Sequence, residues 1–162
     1  MKNNKQNNNL NVSQGDVFPT FIDVKYAWQE AKKNGYSNSH LYIKNVKNKG
    51  LGVFSNKDIK KGEVIEYCHS FLIETPLPWM KDKGIKQYSY WSGDHGIVPL
   101  GFGPIYNSAE RDFLKNTGHF IFPEEKLIVF VAQKDIPAHE EILVWWGEDY
   151  YSAWCAPKNA KA

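Results

Sequence analysis

The sequence predicts a mostly β fold with one helix near its N-terminal end. Short apolar segments recur from residue 41 onward, at 41–46, 51–54, 63–67, 71–74, 97–100, 119–122, 126–132 and 141–146. They are rich in Val, Ile, Phe and Tyr and are broken by Gly, Pro, Asn and Asp, the pattern of short strands joined by turns. Only one stretch, 20–34, carries an extended helical period. The regular alternation of strand and long helix that marks nucleotide-binding α/β folds is missing, as are the Walker A and dinucleotide fingerprints.

At 162 residues the chain reads as one domain with small appendages. Residues 1–17 are an Asn-rich stretch with no apolar run before Val17, which predicts a disordered tail and no secretory signal. Residues 18–39 form a helical segment. Phe21, Val24, Trp28 and Ala31 share one face, Pro19 and Thr20 mark its start, and Lys32, Lys33 and Gly35 its end. Trp28 reads as a packing anchor. Residues 40–152 hold the strands, and 153–162 form a short C-terminal tail.

A weak repeat runs through the β region. Lys57-Asp58-Ile59 leads to Gly62-Glu63-Val64-Ile65, and 77 residues later Lys134-Asp135-Ile136 leads to His139-Glu140-Glu141-Ile142. Each unit reads as a polar turn feeding a strand, with an Ile plug before the turn.

Composition narrows the function. A net charge of +2 argues against a nucleic-acid coat or a polybasic membrane anchor. No apolar run approaches the roughly 18 residues that span a membrane. Cys68 and Cys155 are the only cysteines and form no CxxC, so neither a cysteine-zinc site nor a disulfide framework is expected. Two separate buried thiols and a reducing compartment are the expectation, cytoplasmic or, in a eukaryotic setting, nuclear. The five histidines show no ligand spacing. Glu140 and Glu141 are adjacent on a strand and point to opposite faces, so they read as turn-capping groups rather than a catalytic pair. The outlier is aromatic content, at 15% of the chain, more than a core this small needs.

Three motifs stand in order. Lys49-Gly50-Leu51-Gly52-Val53-Phe54 enters a strand. Gly101-Phe102-Gly103-Pro104-Ile105-Tyr106-Asn107-Ser108 follows. Last comes Asp135-Ile136-Pro137-Ala138-His139-Glu140-Glu141-Ile142-Leu143-Val144-Trp145-Trp146-Gly147-Glu148-Asp149-Tyr150. Over residues 40–152 this resembles the SET domain of protein-lysine methyltransferases. It is most similar to compact zinc-free viral-type members, with a C-terminal motif like that of PR-type SET domains.

The resemblance implies a SET-type β-clip of several short sheets with a knot-like C-terminal threading. It implies transfer of a methyl group from S-adenosyl-L-methionine to a lysine of a protein or peptide substrate. Lys49, Gly50, Leu51 and Gly52 match the segment whose backbone meets that cofactor. Asn107 matches the Asn of the family's Asn-His-Ser motif, with Tyr106 and Ser108 beside it, and Ser108 stands where His is usual. Trp154 matches loosely an aromatic that covers the adenine. Tyr88, 13 residues before Gly101, and Tyr150 match channel tyrosines.

One departure is central. Trp146 occupies the slot of the family's catalytic Tyr, and an indole donates a hydrogen bond but has no hydroxyl. The alternative reading is therefore a catalytically weak SET-fold module that binds a partner protein. A third is an unrelated β protein that binds RNA or a sugar through exposed aromatics. Neither direct nucleic-acid binding nor membrane association is expected, while a homodimer is compatible with the resemblance.

Overall fold

The computed structural model describes residues 18–73, 88–92 and 95–148. The tail expected over 1–17, Tyr150, Trp154 and Cys155 lie outside the described residues. Among the described residues one α-helix, α1 (Phe21–Asn34), precedes strands β1 (Leu41–Val46), β2 (Gly50–Ser55), β3 (Val64–Ile73), β4 (Tyr90–Ser92), β5 (His95–Pro99), β6 (Asn107–Ser108), β7 (Thr117–Phe122), β8 (Leu127–Ala132) and β9 (Glu141–Val144). The strands form two sheets, with orders β1-β2-β9-β6 and β4-β5-β3-β8-β7.

Helix α1 starts where its sequence says it must. Thr20 Oγ1 accepts from the Asp23 backbone N–H, and the Asp23 carboxylate accepts from the Thr20 N–H at 2.8 Å, a reciprocal capping box. Val24, Trp28 and Ala31 then bury against Val64, Tyr67, Phe122, Leu127, Val129 and Val131 on one face of the larger sheet. The Trp28 indole N–H donates to Glu125 at 3.3 Å. Burying a side chain of this class contributes about 1.5–3 kcal/mol, so Trp28 is the pin of the helix. The opposite face carries Ile65, Cys68, Ile97, Tyr106, Ile128, Phe130 and Ala132. Strand β8 lies between these two cores and is buried on both faces, which is why its sequence is the unbroken apolar run LIVFVA.

The apolar segments expected at 63–67 and 71–74 are one ten-residue strand, β3, whose pairing register with β8 shifts between Val64 and Glu66. Strands β4 and β6 were not legible, being three and two residues long.

The 77-residue repeat is a real structural correspondence. Ile59 and Ile136 form an antiparallel bridge, each N–H donating to the other's carbonyl at 2.9 and 2.8 Å. Asp58 accepts from the Ala138 N–H at 2.8 Å, and Asp135 accepts from the Lys61 N–H at 2.9 Å. Gly62 N–H donates to Ala132 and His139 N–H donates to Ser55, both at 2.8 Å. Gly62 and His139 share a left-handed backbone, at φ +87° and +68°. Each unit thus caps the turn of the other. The exchange sets β2 beside β9 and β3 beside β8.

Both bridge side chains are fully buried. Ile136→Ala is therefore expected to lower the unfolding free energy by about 2–5 kcal/mol, read from urea denaturation. A loss below about 1 kcal/mol would show that the bridge is peripheral.

Candidate functional site

The site is assembled around β9. Strand β2 pairs with it antiparallel, with Phe54 opposite Glu141, while β6 pairs with it in parallel, with Asn107 opposite Leu143. Asn107 Nδ2 donates to the Leu51 carbonyl at 3.1 Å and to Glu141 Oε1 at 2.7 Å. Both partners only accept, so the amide must present its NH2 to them and turn Oδ1 away as an acceptor. Gly52 leaves the space for this pair. A Cβ there would stand 2.5 Å from Glu141 Oε1, 2.7 Å from Val46 Cγ2 and 3.0 Å from Asn107 Nδ2. Lys49 Nζ lies 3.9 Å from Glu141 Oε2, at the outer limit of an ion pair. An ammonium, a carboxylate, an oriented amide oxygen and a glycine-opened strand therefore meet at one place. This is donor and acceptor chemistry suited to a zwitterionic amino-acid group.

Next to it stands an aromatic wall. The Trp146 indole N–H donates to the Tyr106 carbonyl at 3.1 Å, and its ring packs on Tyr90 at 4.4 Å between centroids. The Tyr90 hydroxyl donates to the Gly103 carbonyl at 3.0 Å. On β7, His119 meets the Tyr90 ring edge-on at 4.9 Å.

Beneath the wall Glu66 is fully buried and holds the 101–106 segment in place. Its carboxylate accepts from the Phe102 N–H at 2.8 Å and from the Tyr106 hydroxyl at 2.9 Å, while the Gly101 N–H reaches Cys68 Sγ at 3.2 Å. A side chain at position 101 would collide with Glu66. Burial raises the Glu66 carboxyl above the usual carboxylate range, against the pull of those two donors. Burial likewise pushes Tyr106 well above its ordinary value, with the Glu66 charge adding to it, and Cys68 up to about 12, so this thiol is not a nucleophile at neutral pH.

A family model, the SET domain, matches residues 50–147, more than half of the chain. The chain belongs to the SET-domain family. Among solved structures, this SET domain is similar to a Plasmodium falciparum protein titled a candidate histone methyltransferase, with 28% identity and a TM-score of 0.54 over 67% of this chain and 94% of that one. It also shares its fold with CpSET8 from Cryptosporidium, at 20% identity and a TM-score of 0.60 over 80% of this chain and 67% of that one. No curated protein matches the sequence. The mostly β fold read from the sequence is that of the family.

Of the residues singled out in the sequence, the SET fold brings Lys49, Leu51, Gly52 and Asn107 together at Glu141. Tyr106 adjoins them through its backbone, because its side chain is turned into the core. Ser108 is buried and donates to the Ala109 carbonyl. Trp146 is half-buried beside Tyr90, whereas Tyr88 is exposed. Glu141 differs from its expected role as a turn cap. It begins β9 and fixes the Asn107 amide, because the β2–β9 register brings it opposite Phe54 and over Gly52. Asn116, not singled out either, locks β9 from its other side. It donates to the Glu141 carbonyl and accepts from the Leu143 N–H, both at 2.8 Å. Glu66, Tyr90 and His119 complete the missed residues. Only Glu66 left a trace in the sequence, as a carboxylate inside the apolar run Val64–Cys68.

Gly52→Ala is expected to weaken any ligand of this cradle about tenfold or more while the chain stays folded, since one methyl displaces the Asn107–Glu141 pair. Unchanged affinity in a titration would contradict the assembly.

The histidines set an acid limit. Desolvation, aided by nearby Lys57 and Lys115 respectively, pushes His40 and His119 down to about 4. Between their ordinary 6.5 and about 4, the unfolded chain binds protons that the folded chain refuses, so stability falls as pH falls through that window. Glu66, with its raised value, acts in the opposite direction. Urea midpoints should decline from pH 6.5 to 4, and the double substitution His40→Asn with His119→Asn should flatten the decline.

Proposed function

We propose that this SET domain transfers a methyl group from S-adenosyl-L-methionine to a lysine side chain of a protein substrate. The observation that carries the reading is the Asn107–Glu141–Gly52 cradle beside the Tyr90–Trp146 wall. The cradle fits the cofactor's amino-acid end. Asn107 Oδ1 accepts from an ammonium, and Lys49 stands ready for a carboxylate. The backbone of Gly50, Leu51 and Gly52 offers a close flat contact, which Tyr106 and Ser108 continue on the other side of Asn107. When bound, the cofactor supplies an electrophilic methyl on a sulfonium.

The chain's own residues then have three tasks. They hold the two reactants in line, an effect worth roughly 7–11 kcal/mol of barrier in well-oriented systems. They keep water out, which favours the neutral amine over an ammonium of ordinary pKa near 10.4. They also tolerate the cationic product, because aromatic faces attract such groups by roughly 0.5–2 kcal/mol. Tyr90 and Trp146 serve the last two tasks. Trp146 is a wall and not a proton carrier, since its indole has no acceptor and its N–H already reaches Tyr106. Tyr88 and Tyr150 are the further channel residues of this reading, and Trp154 is its adenine cover. Kinship with compact zinc-free viral-type members is supported by Gly101-Phe102-Gly103 ahead of Asn107, and a PR-like end by Leu143–Tyr150.

The same indole favours a second reading, a catalytically weak module that uses its aromatic groove to bind a partner protein. Two measurements separate them. Calorimetry should show S-adenosyl-L-methionine binding that Asn107→Ala weakens about tenfold or more. Mass spectrometry of a protein mixture incubated with labelled cofactor should find methylated lysines. Absence of binding at millimolar cofactor would overturn the enzyme reading, and binding without transfer would favour the module. Trp146→Tyr, which returns a hydroxyl to the slot, should raise turnover if the indole limits the rate.

A further inference from the structure

The polar groups of the aromatic wall point inward. Trp146 donates to Tyr106, Tyr90 donates to Gly103, and Tyr106 donates to Glu66. His119 is different. It stands on β7, paired with Phe130 of β8. Its ring meets Tyr90 at 4.9 Å, interplanar angle 74°, and Phe130 at 6.1 Å. The Tyr90 ring is the one that lies 4.4 Å from Trp146, so imidazole, phenol and indole are consecutive members of one wall. Yet His119 remains exposed to solvent, while Tyr90 is buried. Residue 119 thus keeps an edge open to solvent while the Tyr90 and Phe130 rings cover the rest of the imidazole. Among the described residues no hydrogen bond engages its nitrogens.

Among the described residues, three groups face it. Tyr90 comes from β4, Phe130 from β8, and Lys115 from the approach to β7. Desolvation, with Lys115 adding to it, keeps the imidazole neutral at physiological pH, with a lone pair on one ring nitrogen.

We propose that His119 is a catalytic hydrogen-bond acceptor that receives the target amine beside Tyr90 and Trp146, the role an indole cannot fill. The inference rests on the methyl-transfer reading and names a residue for it. The lysine ammonium first gives a proton to water. The neutral amine donates one N–H to His119 and keeps its lone pair for attack. The N–C bond forms as the S–C bond breaks, the bonding pair stays on sulfur as a thioether, and the methylated ammonium releases a proton to solvent. A nitrogen held this weakly basic acts as an acceptor that aims the amine, not as the base that deprotonates it.

The test uses n-butylammonium as a probe of the lysine side chain, with 15N-labelled full-length protein near pH 8. The acceptor nitrogen of His119 should shift on titration, together with the Trp146 indole N–H, while His40, His69 and His139 stay in place. His119→Phe keeps a ring and removes the acceptor. It should leave S-adenosyl-L-methionine affinity within about twofold of wild type and weaken the probe about tenfold, read at Trp146. His119→Asn, which restores an acceptor, should recover most of that loss. Silent His119 nitrogens, or an undiminished probe response in His119→Phe, would overturn the proposal. Failure of the wild type to bind S-adenosyl-L-methionine would instead overturn the methyl-transfer reading, so the two failures are distinct.

Discussion

The architecture depends on the reciprocal bridge between Ile59 and Ile136. Both residues are fully buried, and their backbone donors and acceptors satisfy one another at 2.8–2.9 Å. A buried peptide group without a partner is costly, so neither turn can hold this place without the other. Asp58 and Asp135 repeat the exchange at the turns, each accepting from the opposite unit. The consequence reaches the site. Once the two units are locked, β9 must lie along β2, and Glu141 then stands where Gly52 leaves room for it and for Asn107. The cradle follows from the lock.

A buried carboxylate does comparable work one layer below. Strand β3 carries Glu66 into the core, where an unpaired charge would be prohibitive. Two donors from the 101–106 segment meet it, and this fixes the path that delivers Tyr106 and Asn107 to β9. The arrangement also explains why the tyrosine beside Asn107 is spent on structure. Its hydroxyl faces Glu66, and only its carbonyl looks toward Trp146.

What was legible in the sequence followed from periodicity and from contiguous motifs. Helix α1 and the doubly buried β8 each carry an unmistakable pattern, and the repeat showed because its two turns share side chains with the same task. Strand β6 has no strand composition, since Asn107 and Ser108 are extended only because β9 lies beside them. The site divides in the same way. Gly52, Asn107 and Trp146 sit in motifs. Glu141 acquires its role only from the register of β2 on β9, and His119 only from the ring contacts that join β7 to β4. Tyr88 and Tyr90 are two residues apart, and nothing local says which is exposed and which is buried against Trp146.

The central claim is that three distant segments, 49–52, 106–108 and 141–146, form one cofactor cradle beside an aromatic wall. Backbone amide mapping by NMR during addition of S-adenosyl-L-methionine tests it most directly. The account predicts the largest shifts at Gly50, Gly52, Asn107 and Ser108 and at the Trp146 indole, with little change in α1. Shifts concentrated elsewhere, or confined to one of the three segments, would contradict it.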